Sequence, residues 1–299
     1  MAEKATKGWE SERLTVLIGG DSGSGKSFFC ANFKGALIFD TDLGGGLKYA
    51  DERIKRNGSE RIEASSWNEV ESEIRKRASE QRLHKTIIID HSTSLHQDAV
   101  TRHNPTGEPD FGASNRQATA EWRKLRQFVR NLGCNLIVTA HLKNEYKSDG
   151  KSMSVVGETV DSAKNIEGDV GVVLHLKRPK SGSPTRETPS IAIVRKWRRD
   201  PDDTRGVVTP VFPFTVENFV KIAGIDFDAG GSVTLASKED VEKVIKMLAL
   251  VKIPETTIKK WFTAAGTDNF EDFTDDQIKG VLKHLGKQME VASKGESHG

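Results

Sequence analysis

Cysteine is nearly missing from this chain: two residues in 299, Cys30 and Cys134, each in apolar surroundings. That excludes a disulfide framework and suits reduced core thiols in a cytosolic protein. No Cys/His cluster has the spacing of a zinc site, so no structural metal is expected. No run approaches the roughly 18 apolar residues that a membrane helix needs. The first eight residues, Met1 to Gly8, lack the apolar segment of a secretory signal, which again points to the cytoplasm and away from a membrane. Net charge is only +2, so no global field selects an acidic or basic partner. Charge is nevertheless uneven, since Lys177, Arg178, Lys180, Arg186, Arg195, Lys196, Arg198 and Arg199 face one nearby acid, Glu187.

What is present begins with Leu14-Thr15-Val16-Leu17-Ile18, an apolar strand, followed by Gly20-Asp21-Ser22-Gly23-Ser24-Gly25-Lys26-Ser27. This is G-x-x-x-x-G-K-S, the P-loop, with a strand before it and a helix pattern after it. The glycines let backbone N–H groups turn inward as a nest for phosphate oxygens. Lys26 is placed to reach the outer phosphates and Ser27 to offer its hydroxyl to magnesium. Gly20 to Ser27 with Phe28 are the expected contacts to a nucleoside triphosphate, and the helix dipole adds to them.

Strand-like runs at 13–18, 36–39, 86–89, 135–139, 170–176 and 190–195 alternate with helical patterns at 67–82 and 115–132. That alternation predicts an α/β core with a mostly parallel sheet flanked by helices. The last two strands read as a hairpin through Pro179–Pro184. The polar stretch 142–165 lacks clear periodicity and reads as a long functional loop. Residues 1–12 are expected to be a flexible N-terminus, 13–228 the core and 229–236 a linker. Residues 237–291 are expected to form a small helical domain and 292–299 a disordered tail. Within 237–291, helices are expected at 237–250, after Pro254, and over 275–289.

A P-loop needs a second carboxylate near the metal, and Thr86-Ile87-Ile88-Ile89-Asp90 offers Asp90 at the end of a buried strand, sharing the magnesium with Ser27. Asp42, in Phe39-Asp40-Thr41-Asp42, is the candidate for activating water, with Asp40 the alternative. His141, ending Asn135-Leu136-Ile137-Val138-Thr139-Ala140-His141, is the candidate sensor of the terminal phosphate; the alternative is a structural histidine.

Taken in order, these segments resemble the RecA-like ATPase core over about residues 12–222. They are most similar to core-only, phage-encoded RecA-like proteins of the AAA type associated with single-strand annealing, which share the run Gly45-Gly46-Leu47-Lys48-Tyr49. The resemblance implies ATP as the nucleotide, Asp42 as the catalytic carboxylate, and a homo-oligomer, ring or filament, with ATP between subunits. Val194-Arg195-Lys196-Trp197-Arg198 resembles the strand whose cations reach a neighbour's nucleotide, which selects Lys196 and Arg198. The segment after His141 would contact single-stranded DNA, through Lys143, Tyr146, Lys147, Lys151 and Lys164. The C-terminal stretch Lys252–Ile278 is similar to helical tails of phage recombination proteins, which implies a module that contacts DNA or recruits a single-strand-binding or other recombination partner; the alternative is that Trp261 and Phe262 form its core. The implied function is ATP-dependent binding of single strands in recombination or annealing. A helicase-like motor and an ATP-gated, non-hydrolysing loader or scaffold stay open as alternatives.

Overall fold

A computed structural model of the chain describes residues 14–42, 46–148, 153–180, 182, 184–185, 187–197, 211–223, 234–251, 253–265 and 267–295. Its centre is a sheet of nine strands: β1 (Thr15–Gly20), β2 (Ala36–Asp40), β3 (Glu60–Glu63), β4 (Thr86–Asp90), β5 (Asn135–Ser148), β6 (Met153–Asp161), β7 (Val172–Lys177), β8 (Ile191–Trp197) and β9 (Val211–Pro213). The order is β3-β2-β4-β5-β1-β7-β8-β9, with β6 paired to the far half of β5. Strands β3, β2, β4, β5, β1 and β7 run parallel, while β8, β9 and β6 join antiparallel.

The central strands read as continuous apolar runs because helices cover both faces. On one face, Leu17, Phe39, Ile89 and Val138 pack against α3 (Trp67–Ser79), α4 (Ser92–His103) and α5 (Ala113–Asn131). Trp67 and Trp122 meet there with ring centroids 5.6 Å apart. The alternate residues Val16, Ile18, Ile38 and Ile88 face the other side. They meet α1 (Lys26–Asn32), α2 (Asp51–Arg56) and α7 (Val216–Ala223). Phe29 of α1 stacks on Phe214 at 4.5 Å and meets Phe219 edge-on at 5.3 Å. Each large side chain buried this way contributes about 1.5–3 kcal/mol.

The stretch 142–165 departs from the expected loop. β5 runs unbroken past His141 and returns as β6, with pairs from His141↔Asp161 to Ser148↔Met153. A short helix, α6 (Ile166–Asp169), then leads into β7. Beyond Leu142 the hairpin carries polar residues on both faces, so a backbone ladder rather than a buried stripe defines it, and hydrophobic periodicity stays silent. Its base lies on β1: a Cβ on Gly19 would stand 2.7 Å from Leu142 Cδ2 and 3.0 Å from Val160 Cγ2. Strand β3 and helix α4 were also absent from the sequence reading, because Glu60-Arg61-Ile62-Glu63 and Ser92–His103 are rich in polar residues. The expected hairpin between the last two strands is present as β7 and β8.

Helices α8 (Lys238–Leu250), α9 (Glu255–Ala265) and α10 (Asp275–Gly295) surround a separate apolar cluster of Val241, Val244, Phe273, Ile278 and Leu285. Ser237 caps α8 by accepting from the Asp240 N–H. Trp261 and Phe262 pack on this cluster. Helix α10 continues into the segment expected to be a disordered tail. Asp272 ion-pairs with Arg75 of α3, whose guanidinium lies 4.2 Å from the Phe128 ring centroid. Among the described residues no helix is long and apolar enough to cross a membrane. Both cysteines are buried and free.

Candidate active site

Register alone assembles the first part of the site. Asp40 pairs with Asp90, and Asp90 with Thr139, while Thr139 also lies beside Ile18 on β1. Three polar side chains therefore form one row across β2, β4 and β5, just before the chain leaves β1 for the P-loop. Ligands of open parallel sheets bind at these carboxyl ends.

The loop closes tightly over that row. Gly23 and Gly25 adopt φ of 73° and 91°, in the left-handed region that favours glycine. At Gly20 a Cβ would stand 2.4 Å from Ser24 Oγ and 3.1 Å from Leu176 Cβ, so the backbone approach permits no side chain. The buried Lys26 ammonium donates to the carbonyls of Gly20 at 2.6 Å and Asp21 at 3.0 Å. Burial pulls its pKa below the usual lysine value, against the opposing charges of Asp90 and Asp21. Asp90 is likewise buried, and desolvation raises its pKa. The Thr139 and Ser27 hydroxyls both donate to its carboxylate. Ser27 and Asp90 thus present adjoining oxygens at the foot of α1, the hard donor set that magnesium prefers.

The two acids after β2 have different surroundings. Asp40 is buried and salt-bridged to Arg61 at 2.7 Å, and Arg61 also holds Asp51 at 2.7 Å and Glu63 at 3.1 Å. Burial pushes the Asp40 pKa up, and Arg61 opposes that shift. Asp42 is exposed, and its backbone N–H bonds the Asp40 carboxylate. Thr41 ties the strand ends together, its hydroxyl donating to the His91 carbonyl at 2.7 Å and accepting from the His91 N–H at 2.6 Å. His91 and His141 stand edge to face with ring centroids 3.9 Å apart. The His141 N–H is anchored on Thr93 Oγ1 at 3.1 Å.

The other predicted residues lie away from this cluster. Lys196 pairs with Val173, three positions along β7 from Leu176, which adjoins Gly20. That places it about 10 Å back along the sheet from the chain's own P-loop. Its ammonium donates to the carbonyls of Glu167 and Gly168. Arg198 and Lys151 lie outside the described residues. Lys143 sits on β5, ion-paired with Asp161 at 2.9 Å, and Lys164 is exposed beyond β6. Tyr146 and Lys147 lie on the β5 arm of the hairpin.

Two features escaped the sequence reading. A cavity of about 210 Å³ beside Gly25 is lined by Phe28, Asn32, Pro184, Thr185, Pro189 and Phe214. Phe28 is 51% exposed, so its ring offers a face there. Pro184 reads in the sequence only as the end of the expected hairpin turn. The second feature is Arg178, whose guanidinium covers Gly23.

A buried strand ending in a P-loop, a lysine folded into it, and a serine bonded to an aspartate two strands away define a P-loop nucleoside triphosphatase fold. More particularly, residues 12–196 match the AAA domain family, and the chain belongs to that family. No curated protein matches the chain. AAA-type P-loop domains are generally ATPases that bind ATP with magnesium; here the oxygens of Ser27 and Asp90 fit the ion.

Proposed function

We propose that the chain is a RecA-like, ATP-dependent single-stranded-DNA-binding protein that assembles with copies of itself and serves recombination or annealing. The observation that carries this reading is the continuity of β5. One strand supplies Thr139 to the Asp90 carboxylate, places His141 against His91, and then continues as the hairpin bearing Lys143, Tyr146 and Lys147. A change at the terminal phosphate therefore has a covalent, hydrogen-bonded lever to the hairpin.

At the nucleotide, the P-loop N–H groups and Lys26 bind phosphate oxygens and spread the charge that builds on the transferring group. Ser27 and Asp90 would hold magnesium, which when bound would supply Lewis-acid neutralisation of the same oxygens. The exposed Asp42 accepts the proton of water as its oxygen bonds to the terminal phosphorus and the bridging oxygen leaves with ADP. Asp40 is committed to Arg61, which favours Asp42 for this role. Because β8 carries Lys196 away from the chain's own P-loop, a role for Lys196 at a nucleotide requires another subunit's site.

The DNA face in this reading is a cleft of about 1170 Å³ between the hairpin base and α5. Arg116, Arg123, Lys143 and Lys164 line it, and Phe111, 96% exposed and at φ 51°, stands at its rim. Cations track phosphates and an exposed ring stacks a base, the usual pairing for single strands. α8 to α10 would serve a recombination partner.

Fluorescence anisotropy with single- and double-stranded oligonucleotides, with and without ATP and magnesium, tests the proposal. Preferential binding of single strands, strengthened by ATP, is expected. Absence of binding in every state overturns it. Turnover stimulated by single strands separates this reading from a non-hydrolysing loader, and lack of unwinding separates it from a motor.

A further inference from the structure

The connection between β7 and β8 folds back over the P-loop. Ser190 Oγ donates to the Ser24 carbonyl at 2.7 Å, in a buried contact. Pro184 Cγ lies 3.3 Å from where a Cβ on Gly25 would be. Arg178, the first residue after β7, lays its guanidinium across Gly23, with Nη2 at 3.0 Å, Cζ at 3.2 Å and Nε at 3.7 Å from the corresponding Cβ position. A side chain at residue 23 would displace it, so Gly23 serves both the turn of the loop and the seating of this arginine.

Arg178 has no carboxylate within ion-pair distance among the described residues, whereas Arg61, Arg77, Arg102 and Arg123 each have one. Its charge is instead felt at Lys26, where it adds to burial in lowering the lysine pKa. Two cations facing one loop repel each other unless an anion lies between them, and a glycine loop of this kind is a nest for phosphate oxygens. A planar guanidinium also offers paired donors matched to phosphate oxygens.

We propose that Arg178 belongs to the chain's own nucleotide site and closes over Gly23 to bind the outer phosphates of the nucleotide held by Lys26. The inference rests on the nucleotide-binding reading above and assigns a cation in cis, on the same chain as the P-loop. It is distinct from Lys196, whose ammonium is turned to the carbonyls of Glu167 and Gly168. It also makes the β7–β8 connection responsive to phosphate, since that segment walls the cavity beside Phe28 as well.

Equilibrium titration with fluorescent mant-ATP, with unlabelled ATP, ADP and AMP as competitors, tests this in Arg178→Ala and Arg178→Lys. Loss of a charge-assisted hydrogen-bond pair weakens ATP by about 10- to 100-fold. ADP is expected to lose less, AMP to stay within about twofold, and the lysine variant to fall between alanine and wild type. Arg178 is exposed, so melting without nucleotide is expected to match wild type in both variants. ATP binding by Arg178→Ala within twofold of wild type overturns the assignment. So does an equal loss for ATP, ADP and AMP, which would mark Arg178 as a support for the loop alone. Failure of the wild-type chain to bind mant-ATP would instead overturn the nucleotide reading itself. ATPase activity restored by mixing Arg178→Ala with Lys26→Ala chains would place the arginine in trans and overturn the cis assignment.

Discussion

His91 makes the fold sensitive to mild acid, by an amount the structure sets. The residue follows Asp90 directly and is 7% exposed. Its Nδ1 has one weak contact, Ser94 Oγ at 3.4 Å, and its Nε2 is buried with no hydrogen-bond partner among the described residues. The His141 ring stands against it, and the Lys26 charge adds to the repulsion of a proton. Burial first, then these two neighbours, lower the His91 pKa to about 3. An unfolded histidine titrates near 6.5. Below that value the unfolded chain gains a proton that the native chain refuses until about pH 3, so stability falls as pH drops across the window. The slope approaches about 1.4 kcal/mol per pH unit, which gives roughly 2 kcal/mol lost between pH 7 and pH 5. His84 and His96 are also held low by burial and add to the slope in the same direction. Asp40 and Asp90 are raised and act oppositely, nearer the carboxylate range. The difference between wild type and His91→Asn cancels these shared contributions, because asparagine keeps a polar group for Ser94 and does not titrate. Urea unfolding of both proteins at pH 7, 6 and 5 should show the wild type losing about 2 kcal/mol relative to the variant. Stability curves that stay parallel to within about 0.5 kcal/mol would refute the reasoning.

Three other changes have defined outcomes. Gly20→Ala forces a Cβ to 2.4 Å from Ser24 Oγ, so nucleotide binding should drop at least tenfold in a titration while far-UV dichroism is retained; wild-type affinity would contradict the tight approach. Trp122→Ala empties a site with no exposure between α5 and α3, and should cost about 3–5 kcal/mol in urea unfolding. Asp272→Ala removes the ion pair between Arg75 of α3 and the turn Phe270–Asp272, leaving Arg75 with Glu71, and should speed proteolytic release of α8 to α10; an unchanged cleavage rate would show that this ion pair does not hold the contact.

The parts of this molecule that could be read from sequence are those whose chemistry is local. A P-loop announces itself within eight residues, and Asp90 follows four β-branched residues that can only be a buried strand. The helical spacing of Val241, Val244 and Leu248 similarly marks α8 without tertiary information. The hairpin β5–β6 was illegible because its pairing buries little, and a polar ladder leaves no stripe to detect. Asp40 and Asp42 look alike in sequence; only the arrival of Arg61 from β3 distinguishes the neutralised acid from the exposed one. Lys196 reads as a cation for a neighbour's nucleotide, and only the fold shows α6 bringing two carbonyls to it. Arg178 lies 155 positions from Gly23 and meets it only because β7 pairs with β1, ending beside Gly20. Long-range register, rather than any motif, decides such contacts.

The central claim is a nucleotide site that hydrolyses ATP under the control of single-stranded DNA. Steady-state release of phosphate from ATP and magnesium, by wild type and Lys26→Ala, with and without a single-stranded oligonucleotide, tests it most directly. The account predicts turnover in the wild type that rises several-fold with the oligonucleotide and disappears in the variant. Turnover that persists unchanged in Lys26→Ala, or a wild type whose rate is indifferent to the oligonucleotide, would contradict it.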